Sequence, residues 1–436
     1  MSALAYHRLP RGWELRPLKR IAALNPEVLP EDTDRDWTFP YVDIGNVTFE
    51  AGITGTELVR FADAPSRARR RVRNGDTIVS TVRTYLRAIA PVSNQPDGLI
   101  ASTGFAVIRA RPPMDAGYLS WALRSNTFVE SVVADSVGVS YPAIAPSVLG
   151  SLPIPAPPPA EQRAIADFLD RETAKIDALI ATQERLIALL DEKRQATITH
   201  AVTKGLDPNA PMKESEVPLV GLIPQSWQVV RLRHLANVQN GIALGRKAES
   251  ITSEIPYLRV ANVQDGYLDL SEVKTIPVTH EEMRRHALKA GDVLMNEGGD
   301  KDKLGRGAIW RGEVSPCIHQ NHVFAVRPHG VDPEWLTTIT GSNYAKCFFD
   351  SRGKQTTNLA SISSSNLQEL PVIMPPDQER HLILQYLGQR LRSLDALHAK
   401  VGASMTHMRE RRTALITAAV TGQIDVSRPA ITEATE

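Results

Sequence analysis

Two stretches of this chain carry the residue types that contact nucleic acid. STVRTYLR, residues 80 to 87, places Thr81 and Thr84, Arg83 and Arg87, and Tyr85 within eight residues. Guanidinium groups pair with phosphates, and hydroxyls hydrogen-bond to phosphates or base edges. NEGGDKDKLGRG, residues 296 to 307, joins Asn296, Lys301, Lys303 and Arg306 to four glycines, whose bare backbone can approach a phosphate closely. Glu297, Asp300 and Asp302 dilute its basic character. Lesser candidates are Tyr141 in SYPAI, Asn240, Arg246 and Lys247 in NGIALGRK, and Gln355 and Asn358 in GKQTTN. From Arg60 to Leu86 seven arginines, including Arg67, Arg69, Arg70 and Arg71, face only Asp63 and Asp76. That local excess matters more for a polyanionic partner than the net charge of +1, because a near-neutral total can hide a polar molecule.

Catalytic patterns are not found. The chain has no G-x-x-x-x-G-K-[ST] phosphate loop, no G-x-S-x-G and no H-E-x-x-H. The Asp/Asn-Pro-Pro-aromatic run expected of an amino-methyltransferase is missing too. Cys317, His319 and His322, with Cys347, are near enough to suggest zinc. Their spacing matches no standard site, however, and the first half of the chain has no counterpart, so they read as ordinary strand residues.

The elements that would position the two stretches come as a pair. EKRQATITHAVTKGLD (192 to 207) returns as ERRTALITAAVTGQID (410 to 425), nine of sixteen positions being identical. A register of 214 to 218 residues links the halves throughout: Pro10 and Trp13 answer to Pro224 and Trp227, Gly75 and Asp76 to Gly291 and Asp292, IASTGFAVIR to IHQNHVFAVR. That period is far beyond the roughly 20 to 50 residues of a solenoid unit, so the chain holds two copies of a domain-sized module. Between Asp76 and Ile100 the copies diverge, which suggests a shared frame carrying two different readers.

The expected class is α+β: two globular mixed α/β domains separated by two long antiparallel coiled-coil helices, with a pseudo-two-fold internal repeat. The division runs 1–158, helix 159–205, linker 206–221, 222–376, helix 377–422 and tail 423–436. Strands are predicted in FPYVDIGNV, DTIVSTV and GFAVIRA, and a helix in MDAGYLSWALRSN with Asp115 near its start. PIPAPPPAEQ (153 to 162) reads as a stiff polyproline elbow. Apolar residues at three-, four- and seven-residue spacing mark both long helices, and neither stripe can be buried alone. With 42% hydrophobic residues, two cysteines, no long apolar run and no signal-peptide core, the expectation is a cytosolic protein with no membrane association.

The P-x-x-W motifs (10 to 13 and 224 to 227), GDTIVSTVRTYLRAIA, ASTGFAVIRA, and PIPAPPPAEQRAIADFLDRETAKIDALI with its long helix resemble the DNA specificity subunit of type I restriction-modification systems. The second copy departs only in PPDQER, where PPxxEQ is the usual order. This resemblance implies a non-catalytic subunit with two target-recognition domains, each reading half of a split, asymmetric double-stranded DNA sequence. It implies helices that act as a ruler and dock two methyltransferase subunits, and restriction subunits through them. Candidates for docking and spacing are Leu169, Ile176, Ile180, Ile187, Leu190, Leu387, Leu394, Val401 and Met408. S-adenosylmethionine, ATP and Mg are expected on the partners, with no cofactor on this chain. The alternative reading is a coiled-coil scaffold that spaces proteins without touching DNA.

Overall fold

The computed structural model describes residues 9–243, 253–299, 304–355 and 360–426. The chain divides into two compact units, residues 1–184 with 402–436, and residues 185–401.

Unit 1 is built on two four-stranded sheets. One is antiparallel, in the order Ala22–Leu24, Phe105–Ala110, Thr77–Ser80, Ile89–Pro91. The other runs Glu57–Arg60, Thr38–Val42, Ile100–Ser102, Ala68–Arg71, with Ile100–Ser102 parallel to Thr38–Val42. Unit 2 repeats the first sheet as Ala236–Asn240, Val323–Pro328, Val293–Asn296, Gly307–Ile309, and repeats the parallel pairing between Ser253–Leu258 and Ile318–His319. The duplication inferred from sequence is therefore a duplication of topology.

Each antiparallel sheet is fastened by the same buried ion pair. Asp76 follows the Gly75 turn and accepts from Arg109 Nε (2.7 Å) and Nη2 (2.8 Å); Asp292 follows Gly291 and accepts from Arg327 Nε and Nη2, both at 2.7 Å. Both carboxylates are buried, and each also accepts from a backbone N–H three residues earlier, that of Arg73 or Lys289. The carboxylate hydrogen bonds hold the Arg109 and Arg327 guanidiniums above their ordinary range, against burial, which lowers them. The invariance of Gly-Asp and Arg across the repeat thus has a mechanical cause.

The long helices run Pro159–Lys204 and Asp377–Val420, 46 and 44 residues; at 1.5 Å per residue the first extends about 69 Å. Each contributes to both units. In unit 1, Ile416, Ala419 and Val420 lie in the same core as Tyr118, Phe128, Ile154 and Leu169. In unit 2, Ala201 and Val202 share a core with Trp227, Trp335, Phe349 and Leu387. The two Ala-Val-Thr repeats are thus buried core, equivalent in each unit. Thr417 Oγ1 accepts from Asn126 N (3.3 Å), and Thr199 Oγ1 from Asn343 N (2.9 Å), the same contact in each unit, the threonines lying 218 and the asparagines 217 positions apart in sequence.

The P-x-x-W motif closes each helix start. Trp13 Nε1 donates to Glu161 (2.7 Å) and Trp227 Nε1 to Glu379 (2.8 Å), so the tryptophan of each unit holds the first-turn glutamate of the long helix that starts in that unit. Beside them the helices end on Gly205 (φ +74°) and Gly422 (φ +71°). A Cβ on Gly422 would meet Pro10 Cγ at 2.3 Å, which leaves room only for glycine. The departure PPDQER is accommodated: buried Gln162 bonds Asp115 N and Pro157 O, whereas Arg380 at the matching place pairs with Asp332 (2.6 Å).

The structure corrects the polyproline elbow. Pro153–Ala156 is a strand paired antiparallel with Glu14–Pro17, as Pro371–Met374 pairs with Gln228–Arg231. Prolines are tolerated because Pro153 and Pro155 sit two apart, on alternate positions of a two-stranded ribbon where no N–H is demanded of them. The predicted helix is Ala116–Leu123, capped by Asp115, which accepts from Tyr118 N at 2.9 Å; a further helix, Asn126–Ala134, follows it.

Candidate nucleic-acid interface

In each unit the structure brings together two stretches that are far apart in sequence. In unit 1 these are residues 81–87 and 135–143. Val82 bridges Ala143, Ile144 N donates to Thr81 O (2.9 Å), and the Thr84 and Ser136 hydroxyls lie 2.7 Å apart. In unit 2, Gly298–Gly299 and Lys354–Gln355 both pair with Ala360–Ser361, joining the glycine-rich stretch to GKQTTN. The two divergent stretches of each copy are one surface, not two.

Within unit 1, Thr81 and Thr84 point inward: Thr81 Oγ1 donates to Gly104 O (2.9 Å), and both residues are buried. Arg83 and Arg87 take φ of +50° and +52°, a region that residues with a Cβ enter at a cost of about 1–3 kcal/mol and that clusters at functional sites. The Arg83 guanidinium stands 4.7 Å over the Tyr141 ring, and Arg87 Nη1 donates to Asn126 Oδ1 (3.2 Å). Tyr85 and Tyr141 are exposed.

The arginine-rich strand is less free than its composition suggests. Arg67 pairs with Asp43, Arg60 with Asp63 and Asp36, and Arg73 with Glu27. Arg69 stacks over Phe61 at 5.1 Å and Nη1 donates to Ala68 O. Arg70 is half-buried, its Nε lacks a partner among the described residues, and burial lowers its pKa. Arg71 and Arg83 are exposed and, among the described residues, make no ion pair, which leaves them the freest cations of this group.

In unit 2 Asn296 is buried, its Nδ2 donating to Val263 O at 3.0 Å. Arg306 is half-buried, and Asn240 is exposed at a strand end. Arg246, Lys247, Lys301, Lys303 and Asn358 lie outside the described residues, as does the side chain of Gln355. His322 bonds Glu297 (2.8 Å). His319 is fully buried with Nδ1 2.7 Å from Val323 O, and Cys347 is exposed. No group of three His, Cys, Asp or Glu among the described residues could hold a metal ion.

Burial lowers His319 to about 4 from an ordinary value of 6.5, and raises the Cys317 thiol to about 12. Below pH 6.5 the unfolded chain takes a proton that the folded one refuses until about pH 4, so stability is complete above 6.5 and falls as pH drops through this window. At the matching place unit 1 has Ala101. His319→Ala is expected to flatten the difference between denaturant midpoints at pH 7 and pH 4.5, removing a term of up to about 3 kcal/mol.

Among the helix candidates Leu169, Ile176, Leu190, Leu387, Leu394 and Val401 are buried, while Ile180, Ile187 and Met408 are half-buried. Leu179, Leu189, Leu382 and Leu397 are exposed instead. Two interhelical ion pairs repeat: Arg412 to Asp177 (2.8 Å) in unit 1, Arg194 to Asp395 (2.6 Å) in unit 2. Among described residues no helix is long and apolar enough to cross a membrane. Sequence reasoning did not single out Val137, Val139 or Leu86, all exposed beside the arginines; Gly138 between two valines was the only available signal.

Two units of one topology, each displaying its own loop pair on a common ion-paired frame, define a duplicated α+β architecture. Residues 10–188 match the family described as "Type I restriction modification DNA specificity domain". The chain is similar to the type I restriction enzyme EcoKI specificity subunit of Escherichia coli (strain K12), 21% identical over 96% of this chain and 90% of that one. It is also similar to the MjaVIII specificity subunit of Methanocaldococcus jannaschii, 24% identical over 76% and 75%. A solved structure described as "Structural basis underlying complex assembly and conformational transition of the type I R-M system" shares the fold, with a TM-score of 0.69, 24% identity and coverage of 96% of this chain and all of that one. Residues 10–188 thus match a DNA specificity domain, and the chain is similar over most of its length to type I restriction enzyme specificity subunits.

Proposed function

We propose that this chain is the non-catalytic address of a type I restriction-modification complex, each unit reading one half of a bipartite, asymmetric DNA target. The observation that carries this is the pairing of sameness and difference: equivalent sheets and ion pairs support loop pairs whose sequences do not match. Equivalent readers at two half-sites suit the local two-fold symmetry of duplex DNA, and unequal readers make the target unequal. The long helices set the interval between half-sites and dock two methyltransferase subunits. Exposed Leu179, Leu189, Leu382 and Leu397 supply the apolar contacts for docking, since the inner stripe is already buried. Restriction subunits join through the methyltransferases, S-adenosylmethionine, ATP and Mg reside on those partners, and the complex works in the cytoplasm.

Modified-base sequencing of DNA from cells expressing this chain with its methyltransferase partner tests the reading. A two-part motif with a fixed gap is expected, and none from cells lacking this chain. Modification at a continuous motif, or by the purified chain alone, would overturn it.

A further inference from the structure

The Val137–Ala143 segment of unit 1 is a hairpin closed by two hydrogen bonds, Val137 N to Ala143 O (2.9 Å) and Ala143 N to Val137 O (3.0 Å). Gly138 turns it at φ +118°. The adjoining stretch 81–87 braces it through the Val82 bridge and the hydroxyl contact between Thr84 and Ser136. At its tip Val139 has no cover at all, 102% exposed, and Val137 is 81% exposed. With exposed Tyr85 and Leu86 on the bracing stretch and Tyr141 on the hairpin, the two valines belong to a grouped apolar surface, and such patches mark a contact with a partner. The neighbours decide which partner. Arg83 lies against exposed Tyr141, exposed Ser140 stands between Val139 and that ring, and the hairpin 137–143 carries no carboxylate. An apolar point flanked by a guanidinium, a ring and a hydroxyl matches a base step between two phosphate chains, where apolar side chains enter as wedges and unstack the pair.

We infer that Val139 is an apolar wedge that enters a base step of the half-site read by unit 1. The inference rests on the DNA-reading function proposed above. Arg83 then meets the backbone beside the opened step and Tyr141 stacks at its edge.

The test uses the full chain in complex with its methyltransferase partner, and a duplex bearing the sequenced motif with 2-aminopurine placed in turn at each position of both half-sites. One or two adjacent positions are expected to brighten on binding, apart from the methylated base. Val139→Ser should extinguish that brightening and weaken binding roughly ten-fold. It should leave the slope of log K against log salt unchanged, because a valine displaces no counterion. Its melting should equal that of the parent, the side chain being fully exposed. Specific binding without such brightening, or brightening that survives Val139→Ser, overturns the wedge and leaves the DNA reading intact. A variant that keeps the DNA signal but loses the methyltransferase also overturns it, making the tip a protein contact. Failure of the parent complex to bind any half-site specifically overturns both.

Discussion

Asp292→Ala should destabilise unit 2 by about 3–5 kcal/mol, more than any surface charge change in the chain. The carboxylate is 1% exposed and has three donors, two on Arg327 and one at Lys289 N. Removing it strands the Arg327 guanidinium at the sheet with a lost bidentate partner and frees the turn at Gly291. Arg327→Leu should cost a similar amount for the opposite reason, leaving a buried carboxylate unpaired. The double variant should cost clearly less than the sum, since no uncompensated charge then remains. By contrast Arg194→Ala, which breaks an exposed pair with Asp395, should change stability by less than about 1 kcal/mol. Urea unfolding gives the totals, and hydrogen exchange gives the location: protection should fall over 291–328 while 76–109 keeps its own. Equal losses in both stretches would show that the pair does not act as a local fastening.

The repeat made much of this frame legible. Gly-Asp and the distant arginine could be matched between copies, although the bond between Asp76 and Arg109 could not, because nothing in one sequence says which of many charges meet across a sheet. The match of the two Ala-Val-Thr runs has a cause that the sequence does not show, the same packing in the cores of two equivalent units. The strand Pro153–Ala156 was hidden by its prolines, whose effect depends on which side of a ribbon they occupy. In the candidate interface, residue type was readable but direction was not. Thr81, Thr84 and Asn296 have the chemistry of base readers, yet each turns inward to hold its loop. The association of residues 81–87 with 135–143 depends on contacts about sixty positions apart, which local patterns do not encode.

Replacing Arg71 and Arg83 together by Ala should weaken DNA binding roughly 30-fold near 0.15 M salt, and should reduce the steepness of its salt dependence by about two. The choice follows from the structure. Arg67 is committed to Asp43, Arg73 to Glu27, and Arg70 is half-buried, so changing those three would mix lost contacts with a disturbed fold. Arg71 and Arg83 are exposed without an ion pair among the described residues, so their loss should leave the melting midpoint nearly unchanged. Each phosphate contact releases a counterion and adds about 0.9 to the slope of log K against log salt, and two lost contacts give both figures. Arg83 carries a second consequence, because its guanidinium also fixes the Tyr141 ring: Arg83→Lys should keep the slope but lose affinity, having charge without the planar stack. Titration of a labelled target duplex at three salt concentrations separates the outcomes. Binding that is insensitive to salt in the parent complex, and unchanged in the double variant, would favour a scaffold that spaces proteins over a chain that touches DNA.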